Sequence, residues 1–243
     1  MAERVVLHTG TVKGVYRFES DGERRSWRVE PPLLPEWRVD SVLTDPEDPD
    51  HLLAGTSHEA WAPTLRETRD GGQTWAQITL RPPDQPAEHP LRCVWQIVRA
   101  PQPHRLYAGV ADAALYVSDD DGASWREVEG LTSHPSRPHW QPGAGGLCLH
   151  TILIDPEDPR RMWVGISAVG VFGTTDGGAT WTALNQGLPP MTMTGSPDED
   201  AMFCIHKIVL DGSSSDRMFM QFHARTMTPD GDRLTIVQAV SGG

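Results

Sequence analysis

Cysteine, tyrosine and basic charge are scarce in this sequence, and each scarcity excludes something. Three cysteines in 243 residues is a small and odd number, which argues against a disulfide framework and for a reducing compartment. Lysine and arginine together number 21 against 33 acidic residues, a formal net charge of −12. The basic residues form no block or stripe, so no nucleic-acid partner is expected. No apolar run approaches the roughly 20 residues that span a bilayer, and no membrane partner is expected. The opening segment, Met1 to His8, lacks the apolar core of a secretion signal, and the expected location is the cytoplasm. What is abundant is glycine (23) and proline (21), with 38% hydrophobic residues, the composition of a turn-rich β-protein.

One signature, [ST]-x-D-x-G-x-[ST]-W, occurs three times: at Thr68–Trp75, Ser118–Trp125 and Thr174–Trp181. The tryptophans stand 50 and 56 residues apart, a period that marks an array of like modules. A damaged copy ends at Trp27, and an echo without tryptophan runs from Thr228 to Asp232. A second element recurs in phase: an apolar run, a proline turn and a second apolar run ending in glycine, at 41–55, 96–109 and 151–165, with a looser copy at 207–222. Short alternating runs bounded by Pro, Asp and Gly read as strands and hairpins. Each module then has four strands, A to D, which in the second module lie near 39–45, 51–56, 64–69 and 74–80. The signature bridges C and D. Its aspartate accepts backbone N–H bonds within the turn, its glycine supplies positive φ, and its tryptophan packs beneath. Four-stranded modules at this period are blades of an all-β propeller.

The signature resembles the Asp-box of the BNR-repeat superfamily, which includes sialidases, sortilin-type receptors and photosystem assembly factors. The residues that carry the resemblance are Asp70, Gly72 and Trp75; Asp120, Gly122 and Trp125; and Asp176, Gly178 and Trp181. It implies a β-propeller, with these residues structural and placed away from the binding face. The whole chain is expected to be a single domain of units near 1–32, 33–80, 93–130, 146–186 and 201–243. Counting from Val5–Thr9 as a B strand to Leu234–Val240 as a final D strand gives nineteen strands, one short of five blades. Relatives of this kind have more blades, so the chain reads as a short or truncated member. Either the ring closes small or its open edges pair with a second copy. A homodimer through those edges is the expectation, and light scattering on a sized sample tests it.

Aligning the A strands places Arg38, Cys93, Cys148 and Cys204 in one slot, and Asp40, Trp95, His150 and His206 two residues later. Residues two apart on a strand share a face, and the starts of innermost strands converge near a propeller axis. Two imidazoles with thiolates or a carboxylate suit a divalent transition metal such as zinc. The candidate ligands are His150, His206, Asp40, Cys148 and Cys204. Such a metal would lower the pKa of bound water towards ~7. Without one, His150, His206 or His58 paired with Asp40 or Glu59 could act as a general base. The alternative for the whole slot is packing: Cys is among the most buried residues, like positions in like blades receive like residues, and a buried His can satisfy itself on a carbonyl.

His58, Glu59 and Trp61 follow a B strand and should reach the same face, as should His8 and His223. Trp61 and Trp95, with Trp37, are candidate platforms for sugars or apolar ligands. The long D-to-A connections, 81–92, 131–146 and 187–201, should lie over the channel mouth. His139 and Trp140 in the second could meet a ligand, and Met191–Thr194 in the third could form a lid. These residues favour a hydrolase with a small-molecule substrate, an ester, phosphoester or lactone, opened with the help of a metal. The alternative is a non-catalytic propeller that binds a ligand or protein. A sialidase-like glycoside hydrolase is a further alternative. It would need three arginines, a tyrosine–glutamate pair and an acid; Arg38 is the clear arginine candidate, and Tyr16, Tyr107 and Tyr116 fall in B or C strands.

Overall fold

The computed structural model describes residues 4–80, 91–143, 145–188, 203–211, 214–222 and 233–238. Five sheets follow one another along the chain. The first contains β1 (Arg4–Thr11), β2 (Gly14–Asp21) and β3 (Arg28–Val29). The second contains β4 (Arg38–Thr44), β5 (Leu52–His58), β6 (Trp61–Thr68) and β7 (Ala76–Ile78). The third contains β8 (Val94–Arg99), β9 (Leu106–Val110), β10 (Ala114–Ser118) and β11 (Arg126–Glu127). The fourth contains β12 (Leu149–Ile154), β13 (Met162–Ile166), β14 (Gly170–Thr174) and β15 (Thr182–Ala183). The fifth contains β16 (Ile205–Asp211), β17 (Ser214–Phe222) and β18 (Arg233–Gln238). Within each sheet, strands neighbour one another in sequence order. The four-stranded modules expected from the repeat are present.

Two details differ from the sequence reading. Residues 233–238 pair directly with β17, as a third strand, where a fourth was expected; the expected third strand, Arg225–Thr228, lies outside the described residues. The connection over 131–146 is not wholly irregular: α1 (Glu129–Thr132) and a short 3-10 turn (Arg137–His139) lead through it. The echo at 228–232, the lid at 191–194 and most of the connections 81–92 and 187–201 also lie outside the described residues.

The three signatures fold into the same turn. In the first, the Asp70 carboxylate accepts the Thr68 hydroxyl at 2.7 Å, the Thr74 backbone N–H at 2.9 Å and the Thr74 hydroxyl at 2.6 Å. The Gly72 N–H donates to the Thr68 hydroxyl at 2.9 Å, and the Trp75 indole N–H to the Gly72 carbonyl at 3.1 Å. Asp120 and Asp176 hold the same set. Bonds to the threonine that follows hold the carboxyls of Asp70 and Asp176 at a pKa of about 2, because hydrogen bonds to the charged form favour it. Gly72, Gly122 and Gly178 take φ of 94°, 96° and 95°, the left-handed region that favours glycine. Trp125 and Trp181 are buried beneath their turns.

The chain forms two compact units: Met1–Arg99 with His104–Ala108 and Tyr116–Arg126, and Ala100–Pro103 with Gly109–Leu115 and Glu127–Gly243. In the first, Val15, Leu34, Val39 and Ala54 form a core cluster that Trp37 and Trp75 flank. In the second, Trp163, Val171, Ile205, Ile208, Met218 and Met220 pack together. The glycine that ends each second apolar run has a steric purpose. A Cβ on Gly55 would lie 2.8 Å from the Val94 carbonyl oxygen, and one on Gly109 2.6 Å from the Leu149 carbonyl oxygen. Bare backbone there lets the first strand of the following sheet press onto the second strand of the preceding one.

Candidate functional site

In the first unit, the candidate residues gather at one end of the second sheet. Arg38 opens β4 and pairs across it with Ser57 on β5. The register slips between Val39 and Ser41, so Asp40 is the extra residue of a β-bulge, a device that re-aims a side chain. Here it turns Asp40 inward: the side chain is 3% exposed. Its carboxylate accepts the Arg38 Nε–H at 2.5 Å and the Ser57 hydroxyl at 2.7 Å. Arg38 itself is half exposed, and the Asp40 carboxylate raises its already high pKa. The next residue, Ser41, donates to the Val94 carbonyl at 2.7 Å, tying β4 to β8.

The turn after β5 lies at the same end of the sheet, with His58 one residue on from Ser57 and so directed to the other face. His58 faces Trp61 across the hairpin. The Ala60 N–H donates to His58 Nδ1 at 3.0 Å, which stiffens the turn. The His58 ring meets the Trp37 ring at 5.3 Å between centroids, and the Arg66 guanidinium lies over Trp37 at 4.0 Å. Trp61 projects at the tip with 65% of its surface exposed, next to the exposed Glu59. Trp95, on β8, is also exposed. His8 is elsewhere in this unit, on β1. It shares a hydrogen bond of 2.9 Å with the Thr44 hydroxyl, while its buried Nε2 has no partner among the described residues. Burial first, and then the Arg17 charge, lower its pKa.

In the second unit, His150 and His206 occupy the same bulge slot: the register slips between Leu149 and Thr151 and between Ile205 and Lys207. The His150 Nε2–H donates to the Ile205 carbonyl at 2.8 Å, and its Nδ1 meets the Thr151 hydroxyl at 3.0 Å. Burial drives its pKa down to about 4, with the neighbouring His206 and Lys207 charges pushing the same way. His150 is therefore a neutral imidazole with both nitrogens engaged, capping a carbonyl of the next sheet. His206 is exposed, with its Nε2 3.8 Å from the Cys204 sulfur. Cys148 and Cys204 precede β12 and β16 rather than lying in them; the Cys148 thiol is buried and donates to the Gly145 carbonyl at 3.0 Å. Among the described residues, no group of three or more His, Cys, Asp or Glu is arranged to hold a metal ion.

Trp140 is buried, its indole N–H on the Ser136 hydroxyl at 2.9 Å and its ring 5.1 Å from that of Phe172. Arg137 clamps the loop by donating to the carbonyls of Asp112 and Ala113. His139 is exposed at the end of the 3-10 turn. His223 lies outside the described residues. Ser57 and Arg66 escaped the sequence reading. Laying the A strand against the B strand in register would have found Ser57; Arg66 carries no local signal.

Comparison with known proteins adds a direction. No protein-family model matches the chain. In sequence it is similar to a xyloglucanase of Paenibacillus sp, 30% identical over 246 residues, which cover 88% of this chain and 22% of the relative. It is also similar to the oligoxyloglucan-reducing end-specific xyloglucanase of Emericella nidulans, 26% identical over 75% of this chain and 22% of the relative. Xyloglucanase Xgh74A of Acetivibrio thermocellus is 28% identical over 71% of this chain and 23% of its own length. The chain thus spans less than a quarter of the length of these relatives. Among solved structures, the GH74 enzyme of Niastella koreensis superposes with a TM-score of 0.61 at 18% identity, covering 98% of this chain and 34% of that one. The GH74 xyloglucanase of Xanthomonas campestris gives 0.61 at 19%, covering 98% and 35%. At such identity the likeness shows the fold, and the fold is of the β-propeller class. The sequence relatives are glycoside hydrolases in kind. They give no support to a metal-assisted ester, phosphoester or lactone hydrolase, and they are xyloglucanases rather than sialidases.

Proposed function

We propose that this chain is the glycan-recognising β-propeller of a glycoside hydrolase and that it engages a xyloglucan-like polysaccharide through the end of the second sheet. The observation that carries the reading is the similarity to a xyloglucanase along 88% of the chain, together with Trp61 and Trp95, both exposed, in the same unit. Exposed indoles away from a core offer flat apolar faces on which sugar rings can lie. Hydrolysis calls for two carboxyl groups flanking the scissile bond, one to protonate the leaving oxygen and one to activate water or attack. Glu59 is an exposed carboxylate at this end. Asp40 is tied to Arg38 and Ser57, an arrangement that suits orienting a ligand better than shuttling a proton.

That engagement of Asp40 favours a second reading, in which the chain alone binds glycan without cutting it. Affinity electrophoresis in a gel cast with tamarind xyloglucan, run beside a reducing-sugar assay on the same polymer, separates the two. Retardation with sugar release supports hydrolysis, and retardation alone supports binding. Migration unchanged by the polymer, with no sugar released, would overturn both.

A further inference from the structure

The two faces of the first sheet divide by charge. Residues paired across an antiparallel ladder share a face. Leu7, Phe18 and Val29 therefore stand in one row across β1, β2 and β3, flanked by Val5 with Ser20 and by Thr9 with Tyr16. None of these side chains is charged at neutral pH. The opposite face holds His8 with Arg17, and Glu19 with Arg28. That charged face is the covered one. His8 meets Thr44 of β4, Arg17 meets Asp50 at 3.1 Å, and a Cβ on Gly10 would lie 2.8 Å from the Val39 carbonyl oxygen. The uncharged face is the open one: Leu7 and Val29 are each 52% exposed, and Trp27, two residues before Val29, is 39% exposed. A sheet with one wet face ordinarily turns its polar side chains to the water. Here the order is reversed, as at a surface built to be covered.

Charge and shape narrow what covers it. The chain carries −12, so two copies repel one another least where the touching surfaces hold no charge. An apolar row of this kind can meet itself across a two-fold axis, each copy giving the same patch. Sheet on sheet is also how the other face of this sheet is covered, with Val15 clustered against Val39 and Ala54 of the second sheet. The longest strands have eight residues, so the patch is about 26 Å long and about 14 Å wide. That is less than the ~800 Å² each partner gives a standard interface, which sets association in a concentration-dependent, micromolar range.

We propose that this face is where two copies of the chain meet, sheet on sheet about a two-fold axis, with Leu7, Phe18 and Val29 of each copy at the centre. The inference stands apart from the glycan reading and does not depend on it. The test is sedimentation equilibrium of the full chain from about 1 µM to about 500 µM, in low salt and in about 0.5 M salt. Monomer at the low end should give way to dimer at the high end. Salt should tighten the dimer severalfold, because it screens repulsion between two acidic chains and leaves apolar contact in place. Leu7→Glu and Val29→Glu, at exposed sites, should each raise the dissociation constant at least tenfold while the thermal midpoint stays within a few degrees. Val12→Glu adds the same charge in the turn between β1 and β2, at a site 68% exposed, and should leave the dissociation constant within twofold. Pairing through the edge of β1 would leave these side chains out of the contact, so a dimer untouched by Leu7→Glu and Val29→Glu overturns the proposal. A monomer at every concentration, a dimer loosened by salt, or an equal loss in Val12→Glu overturns it as well.

Discussion

Acidification from pH 7 to pH 5 should cost this protein stability through one buried imidazole. His150 carries a pKa of about 4 in the fold against an ordinary 6.5, chiefly because burial disfavours its cation. Between those values the unfolded chain binds a proton that the folded chain refuses. Stability is therefore full above pH 6.5 and falls as pH drops towards 4. At about 1.4 kcal/mol per pKa unit, the loss is about 2 kcal/mol by pH 5 and about 3 kcal/mol by pH 4. His8, whose pKa is also lowered by burial, adds a loss of the same sign. The signature aspartates act lower: with carboxyls held near 2, their contribution is lost only below the ordinary carboxylate range. The assay is urea unfolding followed by tryptophan fluorescence at pH 7 and pH 5, in the natural chain and in His150→Gln. Glutamine keeps an N–H donor for the Ile205 carbonyl but does not titrate. The natural chain should lose about 2 kcal/mol more than the variant between the two pH values. Equal losses would refute the account of His150 as a neutral capping group.

Gly55→Ala should destabilise the first unit by well over 1 kcal/mol, because its new methyl would meet Val94 backbone and side chain at under 3 Å and packed interiors absorb such overlap poorly; a urea midpoint equal to that of the natural chain would contradict the close approach. Trp125→Ala, at a site 8% exposed, should cost about 3–5 kcal/mol by thermal or chemical unfolding, as other truncations of large buried aromatics do. Trp61→Ala, at a site 65% exposed, should leave the unfolding free energy within about 0.5 kcal/mol yet reduce retardation by xyloglucan in affinity gels; unchanged retardation would remove this indole from the glycan site.

The modular plan was legible in the sequence because the turn signature and the glycine-ended runs are local and repeat in phase. The A-strand slot was legible for the same reason, and Asp40, His150 and His206 do occupy equivalent places. What their side chains do was not. Alternation by two assigns faces only along a regular strand, and each of these residues is the extra member of a bulge. A bulge leaves no mark in composition, so Asp40 turned inward to Arg38 and His150 reached a neighbouring carbonyl where the pattern suggested a shared open face. Likewise the third-sheet connection gave no periodic signal strong enough to announce α1, and Trp140 went to Phe172 and Ser136 rather than to an open surface.

The signature turn finds its main partners inside eight residues: a carboxylate, two hydroxyls, two backbone amides and an indole saturate one another. Each copy is tied to its host hairpin by one further bond, from the N–H of Gly71, Asp121 or Gly177 to the carbonyl of Asp50, His104 or Arg160. A corner so nearly closed on itself, with one tether, leaves the strands on either side free to differ in sequence while the five specified positions of the signature recur.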